Sequence, residues 1–315
     1  MFFSHIYVER EAAEYATARA ILPRFSQSVP ISISHYKDVF CRRGQNFTRQ
    51  KRRPQLILAV KREDYFHRGS RMCDGFGQDN FIYTTQIMNC PFDCAYCYLR
   101  GLYGSANVVI FVNPEDTLQA VANSLPAFIC VSYDTDLLAF EALTGYVRRW
   151  LAFCAARPEA VVEIRTKSAA FHSIAGFDAL PNVQLAWTVS PDSVIERFER
   201  GTPGLNARLA DMRRALEKGW RVRLCVDPII KTRGWEQDYR AAAQTIRAAL
   251  PMERLLGVSV GCFRVSKTHY ARMEKLEPFS EIFGYTMEER DGTIGYPDEA
   301  EMIAMTRAWL TGGAL

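Results

Sequence analysis

The sequence predicts an α/β fold whose parallel strands, most of them followed by a helix, roll into an incomplete barrel. Three observations lead there. From about residue 81 onward, strand-like and helix-like stretches alternate at the spacing of strand–helix–strand units. Several strand-like stretches carry apolar residues on one face and polar residues on the other. The chain's 315 residues are enough to bury most of the unfolded surface in one large core, with room for a small appendage.

The first 80 residues are the least regular and hold "CRRGQNFTRQKRR" (41–53), six basic residues with no acid. Such a run is either a solvated loop or a contact for a polyanion. The strand candidates then follow in order: "FIYTTQIM" (81–88), "NVVIFVN" (107–113), "AFICVSYD" (127–134), "VVEIRTKS" (161–168), "VQLAWTVS" (183–190), "RVRLCVDP" (221–228) and "LLGVSVG" (255–261). Helical patterns stand between most of them, such as "LLAFEALTGYVRRWLAFCAA" (137–156) and "LNARLADMRRALEKGW" (205–220), the latter with Gly219 placed to end it. The expected organisation is an irregular N-terminal layer over 1–80 packed on the barrel, the partial barrel over 81–262, and a C-terminal extension over 263–315. "GFG" (75–77) and "GTPG" (201–204) are too short for phosphate loops and read as turns.

The polar faces choose the type of barrel. In "VVEIRTKS", Val162 and Ile164 alternate with Glu163, Arg165 and Lys167, and in "RVRLCVDP" Val222, Leu224 and Val226 alternate with Arg221, Arg223, Cys225 and Asp227. In "AFICVSYD" the second set is Phe128, Cys130, Ser132 and Asp134. A tightly filled eight-stranded barrel wants branched apolar residues inside. Polar inner faces therefore point to a wider, incomplete barrel around a solvated cavity.

The formal charge of +4 is mild, and there is no apolar run long enough to span a bilayer. The start, "MFFSHIYVEREAAEYA", lacks a basic leader followed by an apolar stretch and cleavage site. These features lead us to expect a cytoplasmic monomer with no membrane partner. Nine cysteines are an odd number in a chain too long to need disulfide staples, which favours metal or redox chemistry over bridges.

Three of the nine, Cys90, Cys94 and Cys97, stand in "NCPFDCAYCYL" (89–99) after a strand. Structural zinc sites take four protein ligands, and the five histidines show no companion spacing that completes such a site. Three closely spaced thiolates instead suit a four-iron cluster that leaves one iron open for a non-protein ligand. Zinc with a distant fourth ligand stays as the rival reading.

This motif resembles that of the radical S-adenosylmethionine superfamily. Within it, "CAYCYL", "VVIFVNPEDTL", "CVSYD", "EIRTKS", "VIERFERGTPGLNARLADMRRALEKGW" and "DPIIKTRGW", with "HIYVEREAAEYA" at the start, are similar to the spore photoproduct lyase family, in order over about residues 5–240. The resemblance implies a (β/α)6-type radical SAM barrel. It also implies a carbon–carbon lyase of DNA repair, in which a 5'-deoxyadenosyl radical takes hydrogen from a methylene-bridged thymine dimer and two thymines are restored. A 4Fe-4S cluster on Cys90, Cys94 and Cys97, S-adenosyl-L-methionine, DNA carrying a thymine lesion, and an electron donor such as flavodoxin or ferredoxin come with it. Cys130 matches the cysteine that returns the hydrogen atom. Tyr98 and Tyr96 match tyrosines beside the cofactor, either as a radical relay or, for Tyr96, as a wall against the adenine. Ser132, Lys167 and Thr188 match cofactor contacts.

After about residue 255, "VSVGCFRVSKTHYARMEK" departs from the family's histidine–arginine–phenylalanine stretch, so no lesion contact carries over there. Two other readings stay open: a radical SAM enzyme acting on another DNA lesion, RNA, a peptide or a small molecule, and a metal-stapled nucleic-acid-binding protein.

Overall fold

A computed structural model describes residues 3–69 and 79–313, so "GFG" at 75–77 and Cys73 lie outside the described residues. In chain order the strands are β1 (His5–Glu9), β2 (Val29–Ile33), β3 (Leu56–Ala59), β4 (Phe66–Arg68), β5 (Phe81–Thr84), β6 (Ile87–Met88), β7 (Asp93–Cys94), β8 (Val108–Phe111) and β9 (Ala127–Cys130). They continue with β10 (Ala160–Thr166), β11 (Val183–Thr188), β12 (Glu199–Arg200), β13 (Arg221–Ile229), β14 (Gly257–Cys262), β15 (Arg264–Ser266), β16 (Glu288–Arg290) and β17 (Thr293–Gly295). The chain forms two compact units, one from Met1–Pro91, Tyr103–Thr166 and Leu180–Gln184, the other from Phe92–Leu102, Lys167–Ala179 and Leu185–Leu315.

The first unit holds a sheet in the order β2-β1-β3-β8-β6, parallel except for β6. β3 and β8 are buried along their whole length, as inner parallel strands covered on both faces must be. β2 takes the edge, where Pro30 costs no ladder bond. Val39, Phe40, Ile57, Val109 and Phe111 form the core on one face. The N-terminal layer is thus more regular than its sequence suggests, because strands of four or five residues broken by short 3-10 turns leave too little periodicity to read. It also draws in β8, which the sequence places among the barrel strands.

The same unit carries the run β10-β9-β5, parallel, with β4 antiparallel on its edge. In register, Cys130 of β9 lies between Tyr83 of β5 and Glu163 of β10, so the three share one face. The stretch expected as one strand over 81–88 is two, β5 and β6 in different sheets. The break falls at Thr85 and Gln86, whose side chains turn to Asp134 and to the Trp150 indole (2.5 and 2.6 Å). The helix expected over 137–156 is likewise interrupted by Gly145 at φ +66°, a conformation that glycine adopts without strain.

In the second unit β13 pairs with β14 in parallel, with Cys225 opposite Ser259, and β11, which opens in the first unit at Val183 and Gln184, is the neighbour of β13. The helix Leu205–Glu217 ends as expected, with Gly219 at φ +82°. Within the C-terminal stretch, β16 and β17 form a hairpin around Asp291 and Gly292, both at positive φ, as a two-residue turn demands.

One buried acid ties the N-terminal sheet together. Glu9, at the end of β1, accepts from the Tyr36 and Val60 backbone N–H groups (2.7 and 3.0 Å) and from Arg62 (3.0 Å), joining the loops after β2 and β3. Glu9→Ala orphans two backbone donors and is expected to cost about 3 kcal/mol, measured by urea unfolding.

Candidate active site

The three-cysteine loop begins at Asn89, which sits at φ +67°, a region that asparagine tolerates better than most residues. Its side-chain amide donates to the Ser105 and Asn107 carbonyls (2.9 and 2.8 Å), and its own carbonyl accepts from the Thr135 hydroxyl (2.9 Å). Lys51 donates to the Cys90 carbonyl at 2.6 Å. Lys51 was grouped by sequence with the basic run; the structure assigns its ammonium to the loop, leaving Arg42, Arg43, Arg49, Arg52 and Arg53 exposed.

The rest of the loop belongs to the second unit. Cys94 lies on the β7–β12 ladder opposite Glu199, and the Ala95 N–H donates to the Phe198 carbonyl (2.7 Å). A tight turn then brings the Cys97 N–H to the Cys94 carbonyl (3.1 Å). Arg100, its side chain 2% exposed, donates to the Cys94 carbonyl (3.1 Å) and pairs with Asp93 and Glu277 (2.5 and 3.0 Å). Arg200 bridges the same two acids, closing a ring of four charges beneath the loop.

Next to it stands a buried network that sequence reading missed. Glu199 is 1% exposed; it accepts from the Tyr96 hydroxyl, from Ser190 (2.9 Å) and from Arg208 (2.5 Å), which also donates to the Thr188 carbonyl (3.0 Å). Lys167 sets its ammonium 5.1 Å above the centre of the Tyr96 ring, and its loop is held by the Trp187 indole on the Ser168 carbonyl (3.1 Å). Burial alone would raise the Glu199 carboxyl, but Lys167 and Arg208 hold it below its ordinary value. Burial lowers Lys167, yet Glu199 and the Cys94 and Cys97 thiols more than offset it, so its pKa is raised. Tyr96 is pushed well up, first by burial and then by Glu199. The pair is therefore a carboxylate and a neutral phenol. No local pattern marks Glu199: Ser190 and Arg208 are each nine residues away, a spacing of no regular element, and Tyr96 is 103 away; only the "GTPG" stretch hinted at a turn, and Gly201 there indeed has φ +84°.

The other expected residues lie in the first unit or elsewhere in the second. Cys130 is buried at the end of β9, which stops there, leaving Ser132 and Asp134 in the loop beyond. Ser132 Oγ is buried with no hydrogen-bond partner among the described residues. Tyr98 is half-buried and its carbonyl caps the short helix Leu99–Leu102. Cys225 is wholly buried on β13.

These residues suit a sulfur-ligated cluster. Cys90, Cys94 and Cys97 are thiols, and among the described residues no three His, Cys, Asp or Glu side chains converge tightly enough to grip a single ion. A four-iron cluster gives each thiolate its own iron, so convergence on one point is not needed. Lys167 brings a positive charge near the Cys94 and Cys97 thiols.

Residues 2–282 match the model of the spore photoproduct lyase family. The chain belongs to that family. The match runs past residue 255, where the sequence likeness was seen to weaken. The spore photoproduct lyase of Bacillus subtilis strain 168 is 25% identical over 264 residues, 79% of this chain and 74% of that one. The spore photoproduct lyase of Geobacillus sp. strain Y412MC61 is 26% identical over 160 residues, 48% of this chain and 46% of that one. Among solved structures, a spore photoproduct lyase complexed with dinucleoside spore photoproduct has a TM-score of 0.84 at 19% identity, covering 98% of this chain and 96% of that one. A doubly substituted form with bound AdoMet and the same dinucleoside gives 0.84 at 19% identity, with 99% and 96% covered. The fold is theirs, and as a spore photoproduct lyase family member the chain is a radical SAM lyase.

Removing the central acid isolates its role. Glu199→Gln leaves buried Arg208 without its countercharge and is expected to cost about 3–5 kcal/mol in denaturant unfolding. Because the folded-state pKa of Glu199 is depressed, its contribution is present above the unfolded carboxyl pKa and is lost as pH falls through the folded one. The stability gap between wild type and variant is therefore expected to narrow on acidification, read as unfolding midpoints across a pH series.

Proposed function

We propose that this chain repairs spore photoproduct in DNA, with Cys90, Cys94 and Cys97 holding the cluster and Ser132, Lys167 and Thr188 holding S-adenosylmethionine. The family match over residues 2–282 carries this reading, and the known structures with dinucleoside spore photoproduct bound supply its substrate class. When bound and reduced, the cluster and its cofactor supply the radical that removes a hydrogen atom from the lesion. The electron comes from a donor such as flavodoxin or ferredoxin, and the enzyme acts as a cytoplasmic monomer.

The chain's own residues then have separable tasks. Cys130 gives its thiol hydrogen to the thymine radical left after the bridge breaks: the S–H bond breaks as the new C–H bond forms, and a thiyl remains. Tyr98 restores the thiol by giving up its hydroxyl hydrogen, and the phenoxyl radical it becomes would take a hydrogen atom back from the 5'-deoxyadenosine left by the cofactor, which would return the radical there. Tyr96 is the wall. Its hydroxyl is already given to Glu199, and a carboxylate whose pKa is held down by two cations is a weak acceptor for the proton that oxidising Tyr96 would release. The ring that carries Lys167 also fixes where that ammonium points.

A synthetic dinucleotide lesion, anaerobically reconstituted protein and dithionite test the reading; thymine release supports it, and a fully loaded enzyme that cleaves cofactor but leaves the lesion intact overturns it. Alanine at Cys90, Cys94 or Cys97 is expected to abolish cofactor cleavage, with iron content measured alongside. Cys130→Ala is expected to keep cofactor cleavage and lesion consumption while producing adducts in place of clean thymine, as mass spectrometry resolves. Were Cys130 only a packed side chain, the variant would lose about 1 kcal/mol of stability with product unchanged, and Cys225 would become the next candidate donor.

DNA affinity is expected to fall as salt rises, since Arg42, Arg43, Arg49, Arg52 and Arg53 are exposed and displace counterions. Titrations at two ionic strengths, with and without neutralising substitutions of these arginines, measure the slope. An unchanged slope assigns the run to a solvated loop.

A further inference from the structure

The helix Lys267–Leu276 follows β15, in the stretch of sequence that departs from the family pattern. It is firmly seated within the second unit. Val265 just before it and Met273 within it are buried, and Ser266 caps it by accepting from the His269 N–H (3.3 Å). The Lys267 N–H donates to the Gly292 carbonyl (3.0 Å), which ties the helix to the turn between β16 and β17. It packs against the short helix Leu99–Leu102, which directly follows Cys97 and Tyr98.

That short helix is poorly able to hold itself. It is a single turn, and a lone turn fixes several residues in return for very few hydrogen bonds. Those bonds run back to residues of the site. The Arg100 N–H donates to the Cys97 carbonyl (3.0 Å), and the Gly101 and Leu102 N–H groups both donate to the Tyr98 carbonyl (2.8 and 2.9 Å). The backbone of Tyr98 is therefore only as firm as this turn, whose last carbonyls find no partner inside it.

Three contacts from the later helix make up the deficit. Arg272 donates from Nη1 to the Gly101 carbonyl at 3.1 Å, a bond between residues 171 apart in sequence. A cation at that place also suits the negative end of a helical turn. Glu277, which closes the later helix, pairs with Arg100 at 3.0 Å. Gly101 itself lets the two helices meet. A Cβ there would lie 2.5 Å from His269 Cβ and 2.6 Å from the His269 Cα and carbonyl oxygen, so any side chain at 101 must push the later helix away.

Tyr98 is the residue for which this firmness matters most. In the reading above it gives its hydroxyl hydrogen to the Cys130 thiyl and takes one back from 5'-deoxyadenosine, and such transfers depend on close, well-oriented partners. We propose that the helix Lys267–Leu276 is a positioning element for this hydrogen return, with Arg272 on the Gly101 carbonyl and the bare backbone of Gly101 against His269 keeping the turn after Tyr98 closed. Arg272 and Gly101 are positioning residues that act through Tyr98. The proposal rests on the role given to Tyr98 above and deepens it.

Arg272→Met removes the donor from an exposed position. Reconstituted enzyme is given the lesion dinucleotide, and the 5'-deoxyadenosine left free is measured against the thymine released. The variant is expected to leave about tenfold more 5'-deoxyadenosine per thymine than the wild type, the scale of one hydrogen bond from a charged donor. Arg272→Lys keeps a cationic donor and is expected to bring the ratio back toward the wild-type value. A contact that serves stability alone would lower the unfolding midpoint of Arg272→Met and leave the ratio where it was, and that result overturns the inference. Hydrogen exchange at the Gly101 and Leu102 amides, followed in the protein without lesion, is an independent measurement. Exchange about tenfold faster in Arg272→Met is expected from the same lost bond; equal exchange in the two proteins also overturns the inference. If the wild type leaves the lesion intact while these amides respond, the repair reading fails and the hold on the turn stands.

Discussion

Glu199 is a carboxylate wholly out of water, and the chemistry-bearing part of the second unit is arranged around keeping it charged. Taking such a group from solvent costs several kcal/mol unless partners replace the lost hydration. Arg208 does so directly, Lys167 from farther off, and Ser190 and Tyr96 fill remaining lone pairs. The consequence runs outward along covalent bonds. Opposite Glu199 on the ladder is Cys94, and next to Phe198, whose carbonyl holds Ala95, comes Glu199 itself. The acid thus fixes the backbone of the cysteine loop, the hydroxyl of Tyr96 and, through the Tyr96 ring, the ammonium of Lys167. One buried charge sets the place of three groups.

The first unit solves a related problem in the same way at Glu9, but with a different outcome. There the carboxylate meets two backbone N–H groups and an arginine that is partly exposed, so the pair is an anchor for loops and not a closed ionic core. By filling the place where the backbone would otherwise hold an anion, Glu9 leaves the adjoining cavity to side chains.

Much of this was legible in the sequence, for reasons that differ by feature. Inner strands such as β10, β11 and β13 announce themselves because branched residues run through them and burial leaves little freedom. The cysteine spacing is legible because all three thiols stand within eight residues of one loop. The break between β5 and β6 is not, since Thr85 and Gln86 leave the ladder to meet Asp134 and Trp150, partners 49 and 64 residues away. Glu199 was hidden because its spacing of nine residues to Ser190 and to Arg208 belongs to no regular element, and Tyr96 is 103 residues away. Lys51 was misread because a basic run gives no sign of which member turns inward.

That last case bears on charge as an indicator of function. A net charge of +4 over 315 residues is weak evidence for binding a polyanion. Net charge, however, counts Arg208 with Glu199, and Arg100 with Asp93, whose fields largely cancel inside the fold. The exposed arginines between residues 42 and 53 have no ion-pair partner among the described residues and face water with their charge uncompensated. A nucleic-acid strand feels that local field within a Debye length, about 8 Å at physiological salt, and not the sum over the chain. The unpaired residues, rather than the total, therefore set how strongly this surface can attract DNA, and a nearly neutral protein can still present one strongly basic track.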